Sequence, residues 1–103
     1  MQIRIEFDDD RLFDANDPAA YEVDAEASHL RYAQLVRDKV AQLYPEATIE
    51  VAYVGTVMAK AVKLSGPEFD TEDGLVLEDE TRSAVLELVG LVWRNSLWLV
   101  WRD

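Results

Sequence analysis

Cysteine is absent from the 103 residues, which excludes disulfides, thiol catalysis and cysteine-built metal sites. Histidine occurs once, as His29. Ser28 is its neighbour in sequence, and adjacent helical residues do not face each other, so the pair does not suggest a Ser-His-Asp arrangement. No Gly-x-Ser-x-Gly elbow is present. The four glycines, Gly55, Gly66, Gly74 and Gly90, are isolated, so none builds a phosphate-cradling loop. No apolar run approaches the roughly 20 residues that span a bilayer. The opening Met-Gln-Ile-Arg-Ile-Glu-Phe alternates polar and apolar residues, unlike a signal peptide. These absences lead to the expectation of a soluble, cytoplasmic, non-enzymatic protein with no cofactor, no catalytic residues and no metal site.

Basic residues are also scarce. Ten Lys and Arg stand against 21 Asp and Glu, for a net charge of −11. The imbalance is uneven: residues 1–26 carry −7, residues 27–65 carry +2, and residues 66–103 carry −6. Direct nucleic-acid binding is disfavoured, because phosphate contacts need clustered Lys and Arg. Anionic membranes are disfavoured on the same ground. An acidic surface serves solubility by itself. Adaptation to high salt fits as well, given three lysines against seven arginines.

What the chain does have is apolar substance. Half of its residues are hydrophobic, so one domain spanning 1–103 can bury a core. All three tryptophans fall in the last eleven residues, and Leu97 to Trp101 is apolar throughout. Aromatic rings carry much of the area a fold can remove from water.

Ile3, Ile5 and Phe7 alternate with Gln2, Arg4 and Glu6, which predicts a strand over 2–7. An acidic loop follows over 8–24. Asp24 suits a helix N-cap, and Leu30, Ala33, Val36, Val40 and Leu43 recur at spacings of three and four. Pro45 sets the stop, so a helix is expected over 25–44. Ile49, Val51 and Tyr53 alternate again, and Gly55-Thr56 suits a two-residue hairpin turn. That hairpin, over 48–64, pairs Ile49 with Val62, Val51 with Lys60 and Tyr53 with Met58, which leaves Lys60 awkwardly on the core side. A second acidic connector covers 66–77. Asp79 can cap a helix over 79–94 built on Val85, Leu88, Val89 and Val92, with Gly90 as a mark of close packing and Asn95 as a left-handed stop. A final strand is expected over 97–101.

Strand, helix, strand, strand, helix, strand is the ferredoxin-like βαββαβ pattern, an α+β fold with a four-stranded antiparallel sheet and two helices on one face. That shape hosts too many activities to select one. The functional expectation therefore rests on surfaces. With Leu97, Leu99 and Trp101 turned inward, Trp98 and Val100 face outward beside Arg4, Val54 and Ala59 on the open sheet face. Contiguous exposed apolar area marks interaction sites, and an edge strand offers unpaired backbone groups. The chain is thus read as a protein-interaction module that binds a protein partner or a second copy of itself.

A second expectation places function in the acidic loops. Asp8, Asp9, Asp10, Asp14, Asp17, Asp70, Glu72 and Asp73 can imitate nucleic-acid phosphates and occupy a basic groove on a DNA- or RNA-binding protein, as an anti-restriction or anti-CRISPR inhibitor does. The same oxygens invite a weak Ca²⁺ or Mg²⁺ reading. Neither loop meets the EF-hand rule: the first lacks the sixth-position glycine, and the second has Gly74 one place early and Thr81 where glutamate is required. Solvated loop charge explains both better.

Overall fold

In the computed structural model, described over residues 1–13, 22–57 and 60–101, the first strand is the axis of the molecule. β1 spans Gln2–Phe7 and buries every second residue, Ile3, Ile5 and Phe7. A single turn, α1 (Asp9–Leu12), follows within the expected acidic loop. Helix α2 spans Ala25–Leu43, and the Asp24 side chain accepts a hydrogen bond from the Ala27 N–H at 3.1 Å. β2 spans Thr48–Tyr53, β3 spans Val62–Ser65, and a short 3₁₀ turn over Pro67–Phe69 leads into α3, Gly74–Asn95.

The sheet has three strands in the order β2-β1-β3. β2 lies parallel to β1, with Ile3 opposite Ile49 and Ile5 opposite Val51, after α2 has carried the chain back. β3 lies antiparallel on the other side, with Ile5 opposite Val62 and Ile3 opposite Leu64. The four-stranded antiparallel ferredoxin-like sheet is therefore not formed, and two local reasons account for it.

The first concerns the hairpin. β2 and β3 do not pair with each other; the chain crosses the end of β1 between them. A two-residue turn starting on Gly55 requires a positive φ there, and Gly66 is the only described glycine with one. The crossing also resolves the conflict at Lys60. That residue is exposed, while Val62 enters the core beside Ile5 and Lys63 points to the opposite face.

The second concerns the C-terminus. Both sides of β1 are already occupied, so Leu97–Trp101 has no place beside it. Ser96 takes the left-handed conformation (φ 59°) that was expected of Asn95, and the chain turns back at Leu97-Trp98. Among the described residues only one bridge, Val23 to Trp101, links the segment to another extended piece.

Both helices cover the Ile3–Ile5–Phe7 face. α2 contributes Tyr32, Val36 and Val40 to the core, and α3 contributes Val85 and Val92. The buried stripe of α2 is rotated from the expected one: Leu30 is 70% exposed and Ser28 is buried. Ser28 accepts a hydrogen bond from the Val100 N–H at 2.9 Å, so its buried hydroxyl is satisfied and the Val100 N–H gains a partner that a leucine could not supply. α3 begins five residues before the expected cap at Asp79. Gly74 makes this possible, since a Cβ there would lie 2.0 Å from the Phe69 carbonyl oxygen. Gly90 marks no close packing, because its nearest neighbour would be Arg94 Nη2 at 3.9 Å.

Candidate functional site

The open face of the sheet is charged. Arg4 of β1 bonds Glu6 at 3.1 Å and also pairs with Glu50 of β2, while Lys63 of β3 reaches Glu6 at 3.1 Å. Ion pairs thus stitch all three strands across the solvent side. Lys63 and then Arg4 hold the Glu6 carboxyl below its ordinary range, and Glu50 and then Glu6 raise the Arg4 guanidinium above its own. The expected apolar docking face is absent from the described residues. A period-two strand with Arg and Glu on one side already specifies this arrangement once its neighbours are known.

Trp98 is the largest correction. It is 3% exposed and Trp101 is 53% exposed, the reverse of the expected orientation. The Trp98 ring packs edge-on to Tyr32 at 5.5 Å and lies 5.7 Å from Phe13. Its Nε1 donates to the Trp93 carbonyl at 3.1 Å. That carbonyl is one of the last four of α3, which have no partner within the helix. An indole with its N–H satisfied is free to be buried, so Trp98 is a core residue. Leu97 turns to solvent with Trp101.

The other expected contacts scatter. Arg4 lies on the charged face. Val54 follows β2 and donates its N–H to the Phe7 carbonyl. Val100 is half-buried against the start of α2, where its carbonyl accepts from the Asp24 N–H at 2.7 Å. Ala59 lies outside the described residues. Arg4, Val54, Trp98 and Val100 therefore share no surface.

The acidic residues divide as well. Asp8 is buried, with Oδ2 accepting the Val57 N–H at 2.9 Å, so it anchors the crossing chain. Asp9 accepts from the Tyr53 hydroxyl at 2.8 Å and lies 2.7 Å from His29 Nε2. The His29 and Tyr53 rings stack at 4.2 Å. This Asp9–His29–Tyr53 clasp sits where β1 and β2 end beside α2, the end of a parallel pair at which α/β folds place ligands. Sequence reading missed it, because 20 and 44 residues separate Asp9 from its partners. Chemically, both Asp9 oxygens, the imidazole Nε2 and the phenol are engaged with one another, and no described nucleophile joins them. Asp70, Glu72 and Asp73 are exposed in the turn before α3. Asp14 and Asp17 lie outside the described residues, as does the side chain of Asp10. Among the described residues no group of three or more His, Asp or Glu side chains converges as a metal site requires, and no helix is long and apolar enough to cross a membrane.

The two edges of the sheet remain, and they differ. β3 has four residues, carries Lys63, and has its Val62 carbonyl capped by Arg82 Nε at 3.3 Å. Short length, lysine and a covering side chain are the usual protections of an edge. β2 has six residues, Thr-Ile-Glu-Val-Ala-Tyr, without Pro, Gly or Lys. Thr48 and Val54 donate their N–H groups to β1, to the carbonyls of Met1 and Phe7. Along a parallel ladder such groups alternate, so Ile49 and Val51 aim theirs away from β1. Among the described residues nothing meets them. An apolar groove of about 310 Å³ on the β3 side is lined by Phe7, Tyr32, Val62, Leu86, Val89 and Trp93, among others.

No protein-family model, no curated protein and no solved structure matches this chain.

Proposed function

We propose that this chain is a small, acidic, non-enzymatic interaction module that takes up an extended protein strand along the outer edge of β2. One observation carries the reading: β2 is a six-residue edge that, among the described residues, has no covering side chain, whereas the opposite edge is short and capped. Strand addition supplies affinity through main-chain hydrogen bonds and selectivity through alternate side chains. On the helix side of the sheet an added strand meets Ile49, Val51 and Tyr53, and on the open side it meets Thr48, Glu50 and Ala52. The reading takes the protein as cytoplasmic, with a protein partner and no cofactor, nucleic acid or membrane. The phosphate-mimic reading gains less support, since Asp8 and Asp9 are engaged internally.

The test is an NMR titration with an extended peptide that alternates lysine and valine. Its valines suit the apolar side of β2, and its lysines suit Glu50. Shifts of the Ile49 and Val51 amides, weakening as salt rises, are expected. Shifts confined to the groove around Leu86 and Trp93, or none at all, overturn the reading.

A further inference from the structure

We infer that the groove at the end of the molecule where β1 begins is a second docking site, separate from the edge of β2. Its occupant is a basic segment of a protein partner that presents an apolar side chain between lysines or arginines. The groove has a volume of about 520 Å³, within the range of sites that enclose a ligand group. Leu43, Tyr44, Pro45, Ala47 and Leu77 give it an apolar lining drawn from the end of α2, the connection to β2 and the first turn of α3. Leu43 is 52% exposed there, so the lining is open to an apolar visitor.

Charge selects the visitor. Both charged side chains in the lining are glutamates, Glu46 and Glu68. Glu46 is exposed and, among the described residues, forms no ion pair. Glu68 Oε1 is closed off from water, 3.1 Å from the Met1 ammonium, and receives no hydrogen bond among the described residues. Gly66 makes room for this carboxylate: its φ of 145° favours glycine, and a Cβ there would collide with Oε1.

The backbone adds to the same field. The last carbonyls of α2 carry the negative end of the helix dipole, and the last turn holds no basic residue to offset it. α3 starts at the same end, but Asp70, Glu72 and Asp73 stand exposed before its first turn and oppose its positive end. Lys39, one turn before Leu43 on α2, is outside the lining. An acidic segment is therefore repelled, and a neutral one gains only the apolar contact. Lysine and arginine fit both features, because their stems lie along apolar surface while their charged ends stay at the rim.

The experiment is an NMR titration of the full chain with a capped peptide, glycine–lysine–leucine–lysine–glycine, and with counterparts carrying serine or glutamate in place of both lysines. The lysine peptide should shift the amides of Leu43, Tyr44, Ala47 and Leu77, the serine peptide should bind more weakly, and the glutamate peptide should not bind. Glu46→Gln and Glu68→Gln should each weaken the lysine peptide by about twofold to fivefold. Glu87→Gln removes the same charge about 15 Å further along α3 and should leave binding unchanged. Leu43→Ser should weaken binding by about threefold to tenfold. If Glu68→Gln disturbs the fold through its Met1 contact, the exposed Glu46 decides.

Equal binding of the glutamate peptide, equal weakening by Glu87→Gln, or no shift in the groove overturns the inference. Shifts of Ile49 and Val51 alone place the peptide on the strand edge, which overturns the groove and leaves the β2 reading standing. Groove shifts together with a silent lysine–valine titration of β2 support the groove and remove only the β2 reading.

Discussion

The two strands flanking β1 are made of similar residues and end in opposite situations. β3 is held to four residues, and Arg82 from α3 sits over its outward carbonyl. β2 runs for six residues with β-branched and aromatic side chains and, among the described residues, no comparable cover. The contrast follows from how each strand is reached. β2 returns through α2, which packs above it and leaves its outer edge alone. β3 arrives by the crossing chain, under the side of α3 that carries Arg82 and Glu78. An edge is protected here by what the tertiary fold brings alongside it as well as by its own sequence.

Three tests bear on that contrast, in descending order of expected effect. The first concerns the C-terminal segment, expected to form an edge strand. If Trp98 is a core residue and not part of an exposed strand, Trp98→Ala should cost about 3–5 kcal/mol of stability. Trp101→Ala should stay within about 0.5 kcal/mol. Urea unfolding of both variants measures the difference, and equal losses would mean that the C-terminal segment packs otherwise.

Second, Arg82→Met leaves the Val62 carbonyl without its donor, and a loss of about 1–2 kcal/mol is expected. The variant should also begin to associate through β3, visible as species larger than the wild type in light scattering. If β3 stays quiet without Arg82, strand length alone protects that edge.

The third and smallest effect concerns Glu6, which links the two sides through Arg4 and Lys63. Its carboxyl is held below the ordinary value of 4.5, so its contribution is present above that pH and is lost as pH falls through the lower, folded-state value. Stability of the wild type should therefore drop more than that of Glu6→Gln between pH 6 and pH 3, measured by urea midpoints. Parallel declines would show that these exposed pairs contribute nothing.

How far the sequence reaches can be judged element by element. The alternation Ile3–Ile5–Phe7 defines β1 and its inward face. The run from Asp24 to Leu43 defines α2, because capping chemistry and a 3.6-residue period are local properties. The period does not fix which flank of that helix is buried. Leu30 lost its place to Ser28, a choice made by the hydrogen bond with Val100, 72 residues away. The Asp9–His29–Tyr53 clasp was invisible for the same reason.

By itself, then, the sequence determined the strand and helix segments whose patterns are local, together with the acidity and the absence of cysteine chemistry. Tertiary structure alone decided the neighbours of β1, the burial of Trp98 and the fate of each edge. Those depend on competition for a limited number of positions. β1 has two sides, and once β2 and β3 hold them, the apolar C-terminal segment is best placed with its indole in the core.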